Sequence, residues 1–317
     1  MKTRLLNLLK IGLSLGLLAL LFTHIGIGEA MGAIRQMDLR AFAAAFSLFL
    51  LGVLMRAYRW QGLLEAVQLH ASFRRLVVLY FVGSFFNTFL PTGLGGDVVR
   101  VYELSRDSQR MAESVGTVFV DRLAGLVVLF GLAVLALPFS EELITTELKL
   151  AILAIAGGGI LATWILFQKS WADRVLRLLP FGDRLQGKVM DLYQAVHACG
   201  MGAMGRALGV SLFFNLLLMA VVALLALGLG IHVSLWYFML FVPLISFSLT
   251  LPISISGLGV RETTFVLLFG QAGVGQPKAL ALSLAFYGVG LATGLVGALL
   301  YALEGMRGLA DSSAREG

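Results

Sequence analysis

The chain is 317 residues long, 59% apolar and 13% charged, with a net charge of +6 and a mean hydropathy of +0.91. A soluble globule carries roughly 25% charged residues, so a soluble enzyme, a nucleic-acid binder and a disordered scaffold are excluded as first readings. An integral membrane protein fits, with its basic excess assigned to cytoplasmic loops rather than to nucleic acid.

A spanning helix needs about 20 mostly apolar residues. In chain order, the stretches 5–27, 39–58, 114–138, 148–167, 207–230 and 279–303 meet that length. Lys2, Arg4 and Lys10 precede the first, and no small-residue cleavage site follows it closely, so it reads as a span rather than a signal peptide. Two further stretches, 76–91 and 235–252, run apolar, meet Pro91 or Pro252, and then dissolve into glycines and charges. Between the fourth and fifth spans, residues 168–206 read as a cytoplasmic loop. Its apolar positions Trp171, Val175, Leu178, Leu179 and Leu185, Val189, Leu192, Val196 have the spacing of amphipathic surface helices.

The positive-inside rule fixes the expected topology. If 76–110 and 235–273 are hairpins that enter and leave by one face, eighteen Lys and Arg share the side of the N-terminus and five lie opposite, with Arg122 inside a span. Counting either hairpin alone as a full crossing would put the basic loop 168–206 outside. The expectation is therefore an all-α polytopic membrane protein with six full spans plus two re-entrant hairpins. It forms a single transmembrane domain over 1–317 in the cytoplasmic (inner) membrane, both termini cytoplasmic.

The two hairpins resemble each other. Pro91 and Pro252 lie 161 residues apart, and each is followed by a glycine at the fifth position (Gly96, Gly257) and an arginine at the ninth (Arg100, Arg261). The same shift overlays the flanking spans, giving repeat 1 over about 39–138 and repeat 2 over about 207–303, facing opposite ways. Inverted repeats with discontinuous helices near the midplane are a transporter pattern. Re-entrant backbone is tolerated there only where it is buried in protein or lines a wet cavity.

Each hairpin has the parts of an anion site. Proline ends the entering helix, and Gly93, Gly95, Gly96, Gly257 and Gly259 let the chain turn and approach a ligand. A second helix then starts, with Asp97 as N-cap in the first hairpin and Ser254 or Ser256 in the second. Its N-terminus favours a phosphate, and Arg100 or Arg261 adds a bidentate donor within the first turn or so. Asp97 competes for the same groups and for Arg100, and Glu262 neutralises Arg261 or joins the site. Asp121 and Arg122 sit roughly 11 Å into their span, a depth at which charge marks a pathway or closes an ion pair, with Asp97 or Glu103 as partners for Arg122. Arg56 and Arg59, beside Tyr58 and Trp60, read as interfacial anchors and snorkelling side chains. Gly290, Gly294 and Gly297 form a close-packing face.

Other signals fail. Gly200, Gly202 and Gly205 fit a dinucleotide fingerprint but follow no strand, and the loop Gly182–Lys188 has Val189 where a P-loop needs Ser or Thr. Cys199 has no disulfide partner, and His24, His70, His197 and His232 are scattered. No cofactor or metal is expected.

The segments Phe86–Arg100, Val120–Leu123 and Pro252–Glu262, with Arg56 to Trp60, resemble the lysylphosphatidylglycerol synthase transmembrane family, the flippase-like membrane proteins. In bifunctional members such a region moves aminoacylated phosphatidylglycerol between leaflets and a cytosolic domain makes it. This sequence stops at Gly317 without that domain, so the resemblance implies translocation of a lipid, not aminoacyl transfer. Stand-alone relatives serve varied lipid pathways, polyprenyl-linked glycans and hopanoids included. The reading is a passive or ion-coupled translocator, not an enzyme, acting on an anionic or modified phospholipid or a polyprenyl-linked lipid. Arg100 and Arg261 receive the head group alternately. Asp97, Asp121, Arg122 and Glu262 balance charge, while Asn87, Thr88, Ser254 and Ser256 offer neutral hydrogen bonds or caps. Pro91, Gly95, Gly96, Pro252, Gly257 and Gly259 shape the turns. The rival readings are a lipid-modifying enzyme, which lacks a nucleophile or carboxylate pair in position, and a non-transporting regulator of a lipid or glycan synthase.

Overall fold

The computed structural model describes residues 27–89, 95–139, 145–167, 193–250 and 256–316, with Gly16, Met190 and Ser254. The regular secondary structure of these residues is all helix, with no strand among them. In chain order the helices are α1 Ile27–Arg35, α2 Leu39–Ala66, α3 Phe73–Phe89, α4 Gly95–Ser108, α5 Met111–Ala136, α6 Thr146–Phe167, α7 Gly200–Gly228, α8 Leu235–Thr250, α9 Val260–Gln271 and α10 Gln276–Glu316.

Local chemistry sets many of these boundaries. The Arg40 N–H donates to Asp38 Oδ1 at 2.8 Å, capping α2, and Ser72 and Thr145 cap α3 and α6 in the same way. Past the end of α7, Gly230 takes φ +65 and the Ile231 N–H returns to the Ala226 carbonyl; past α9, Gly273 (φ +75) and Val274 repeat that closure on Phe269.

Among the described residues, four helices are long and apolar enough to cross a membrane: Leu39–Ala66, Met111–Phe139, Gly200–Gly228 and Gln276–Leu303. They cover the expected spans at 39–58, 114–138, 207–230 and 279–303, and the 22-residue α6 covers the one at 148–167. The expected first span lies outside the described residues, apart from Gly16 and Ile27, as do the loop positions 171–189. Two expectations change. Helix α2 does not stop at Tyr58 but continues to Ala66, and residues 200–206, assigned to the loop, form the first turns of α7.

The 161-residue shift holds at the level of whole elements. Shifted by 161, α2 falls on 200–227 against α7 at Gly200–Gly228, and α3 on 234–250 against α8 at Leu235–Thr250. Helix α4 falls on 256–269 against α9, and α5 on 272–297 within α10.

The chain forms two compact units. Unit 1 contains Met1–Val53, Val77–Arg100 and Leu218–Gly317, and unit 2 contains Leu54–Leu76 and Val101–Leu217. In unit 1, α10 packs on α1 and α9, and α8 packs on α9. An aromatic cluster of Phe241, Phe265 and Phe269 fills that core, with Phe265 and Phe269 stacked at 5.7 Å. In unit 2, α5 packs on α6, and Trp60 is fully buried with its indole N–H donated to Thr117 Oγ1 at 3.2 Å.

Candidate functional site: two broken helices and a buried arginine network

In unit 1, α3 and α4 meet at glycine. A Cβ on Gly96 would collide with the Gly83 carbonyl, so the two backbones touch with no room for a side chain. The Gly96 N–H, an orphan donor of the new helix, donates to Asn87 Oδ1 at 2.8 Å. This corrects the assignment of Asp97 as cap. Helix α4 starts at Gly95, Asp97 lies inside its first turn, and the capping oxygen comes from α3. Asn87 is thus committed to the fold, and Thr88 donates its hydroxyl to the Ser84 carbonyl at 2.9 Å.

Arg100 falls in the second turn of α4, deeper than expected, because the helix begins two residues before Asp97. It is 4% exposed, with its guanidinium 4.0 Å above the Tyr80 ring and Nη2 3.4 Å from Asp97 Oδ1. The aromatic face and the carboxylate together make its burial tolerable.

The second break is built differently. Ser256, Gly257 and Gly259 take φ values of +49, +77 and +81, a left-handed turn that glycine adopts without strain. Gly259, not Ser254 or Ser256, is the N-cap of α9, and its N–H donates to Glu262 Oε2 at 2.7 Å. The other oxygen of Glu262 accepts from Arg261 Nε at 3.1 Å and also from Arg261 Nη2. Arg261 lies 4.1 Å above the Tyr287 ring of α10, and both it and Glu262 are buried, as is Ser254. Pro91, Gly93 and Pro252 fall outside the described residues.

Unit 2 holds a charged network that the sequence reading missed. Asp121 on α5 is buried and accepts from Arg59 Nε at 2.6 Å; Arg59 Nη1 donates to Ser211 Oγ on α7 at 2.7 Å. Gly125, one turn from Asp121, leaves the guanidinium its space: a Cβ there would come within 3.3 Å of Arg59 Nη1. Arg59 is therefore not an interfacial anchor but the buried partner of Asp121. The charge that appeared to end the span is neutralised by the neighbouring helix, so α2 continues through it. Glu103, offered as a partner for Arg122, is engaged by Arg75 at 3.0 Å and Arg106 at 3.2 Å; Arg122 itself is half-buried on α5. The available signal was stoichiometric, since an aspartate inside a span calls for a cation inside another, and Arg59 is such a residue.

Elsewhere in unit 2, burial pushes the Cys199 thiol up to about 11. Among the described residues no three His, Cys, Asp or Glu side chains group as metal ligands would.

Long apolar helices and arginines buried on aromatic faces define a multi-pass membrane protein. Residues 7–297 match the family model described as the lysylphosphatidylglycerol synthase TM region, and the chain belongs to that family. It is also similar to a UPF0104 membrane protein of Pyrococcus horikoshii, with 28% identity over 123 residues. That match takes in 38% of this chain and spans 36% of the relative's length.

Proposed function

We propose that the protein translocates a lipid between leaflets, with its head-group phosphate handled by the two broken helices. One observation carries this reading. At positions related by the 161-residue shift, each copy places a buried arginine near the start of a short helix, beside a carboxylate and over a tyrosine ring. The carboxylates of Asp97 and Glu262 balance the charge of the two guanidinium groups, which allows their burial. An arriving phosphate exchanges with the carboxylate as the guanidinium's partner, a bidentate interaction of comparable chemistry.

On this reading α3–α4 and α8–α9 are re-entrant hairpins within six full spans, and the two copies face opposite ways in one transmembrane domain. The termini and the segment 168–199 are cytoplasmic, and the membrane is the inner one. Asp121 and Arg122 contribute charge balance, not direct contacts to the lipid. The chain carries out no covalent chemistry on the lipid, and a lipid or glycan synthase is the class of partner that would supply it.

The test is lipid movement in proteoliposomes containing this protein alone. Fluorescent anionic, aminoacylated, zwitterionic and polyprenyl-phosphate lipids are compared for wild type, Arg100→Ala and Arg261→Ala. Head-group-dependent movement that both substitutions abolish supports the reading and names the substrate class. Movement that survives both removes the arginines from the mechanism. Folded protein that moves no lipid is instead a lipid-binding regulator.

A further inference from the structure

Apart from the two breaks, a cavity of about 530 Å³ opens between the C-terminal part of α2 and the N-terminal part of α7, both within unit 2. Its size suits a small amphiphile. Arg59 forms part of its wall but is already neutralised by Asp121. The remaining lining charges are Glu65 on α2 and Arg206 on α7. Both are exposed, and among the described residues neither is engaged in an ion pair or side-chain hydrogen bond. Two opposite charges that line one cavity without meeting are complementary to a ligand that carries both signs.

The rest of the lining extends that argument. Val210 and Phe213 give the α7 side an apolar wall. Gly62 and Gly209 leave the cavity open, since a Cβ on either would meet nothing within 4 Å. A purely anionic head group would set its charge against Glu65, while a zwitterion satisfies both walls. A primary ammonium offers three donors to a carboxylate, and a guanidinium presents a fork to a phosphate.

We propose that this cavity binds a zwitterionic amino-phospholipid, its phosphate on Arg206, its primary ammonium on Glu65, and the start of an acyl chain along Val210 and Phe213. The site is separate from Arg100 and Arg261, and its occupancy is read by binding, so its failure and that of the translocation reading are distinct results.

The full chain in detergent is titrated with dihexanoyl-phosphatidylethanolamine, dihexanoyl-phosphatidylglycerol and free O-phosphoethanolamine, and binding is followed by native mass spectrometry. The expected order places the phosphatidylethanolamine first. Arg206→Gln weakens it roughly tenfold, the loss of one charge-assisted contact. Glu65→Gln removes the preference over phosphatidylglycerol without weakening phosphatidylglycerol itself. Gly209→Leu, which fills the cavity, abolishes binding of the lipids. All three changes lie on open surface, and an unchanged thermal midpoint checks that each variant is folded. An identical preference in wild type and Glu65→Gln overturns the proposal, as does binding that survives Gly209→Leu. Equal affinity for free phosphoethanolamine overturns the lipid as the occupant.

Discussion

In the first break the new helix is held by the one before it. Asn87 of α3 caps α4, the Gly83 and Gly96 backbones touch, and Arg100 rests on Tyr80 of α3. In the second break the new helix caps itself through Glu262, and its arginine rests on Tyr287 of the helix that follows. The shared spacing thus conceals different wiring. Arg100 meets Asp97 at 3.4 Å, whereas Arg261 presents two nitrogens to one oxygen of Glu262. An arginine held through two nitrogens is the harder of the two to redirect to another anion, so the copies are expected to differ in how readily each exchanges its partner.

The contrast extends to the long helices. The 161-residue shift carries Arg59 onto Ala220 and Asp121 onto Leu282, so only the first copy has the buried ion pair. Breaking such a pair from one side costs about 3–5 kcal/mol, whereas replacing both partners by apolar groups is near neutral. Asp121→Leu alone should therefore lower the thermal midpoint in detergent sharply, and Arg59→Ala with Asp121→Leu, which copies the second repeat, should recover most of the loss. If the double variant is no better than the single, Arg59 and Asp121 are not acting as a pair.

Glu262→Gln tests the second break in the same range of effect, about 3 kcal/mol, because it strips Arg261 of its counter-charge while keeping an acceptor for Gly259. Asn87→Ala removes only a neutral cap and should cost about 1 kcal/mol. Equal losses in the two variants would erase the distinction between a borrowed cap and a self-supplied one.

Glycine contacts provide a finer comparison. A Cβ on Gly96 or Gly297 would strike a carbonyl, of Gly83 or Phe81 respectively, while one on Gly290 would meet nothing. Gly96→Ala and Gly297→Ala should each cost about 1–3 kcal/mol by overpacking. Gly290→Ala should be neutral or stabilising by about 0.5–1 kcal/mol through helix propensity. The smallest effect is chemical. With its thiol pushed up to about 11, Cys199 is protonated at neutral pH, so maleimide labelling of folded protein at pH 7 should be far slower than that of denatured protein and should rise toward pH 10.

The sequence displays the apolar helices and the repeat openly, because both are written as composition and spacing along the chain. The arginines at 100 and 261 are legible for the same reason: proline, glycine and arginine recur at fixed intervals. Pairing across the chain is not written that way. Nothing near Arg59 in sequence announces Asp121 or Ser211, and its neighbours Tyr58 and Trp60 resemble an interfacial belt. The cap of α4 is hidden from the sequence on similar grounds. Asp97 has the right chemistry and position for a local cap, but two consecutive glycines let α4 begin earlier and borrow Asn87 from the preceding helix.

The ion pair between α2 and α5 also bears on how the chain is made. Its partners are 62 positions apart, so at about 5–20 residues per second Arg59 emerges from the ribosome roughly 3–12 s before Asp121. Released alone into lipid, α2 would carry an uncompensated charge worth about 2.5–3.5 kcal/mol at the bilayer centre. The expected outcome is that α2 stays at the insertion machinery until α5 arrives, and Asp121→Leu should prolong that stay in a crosslinking time course.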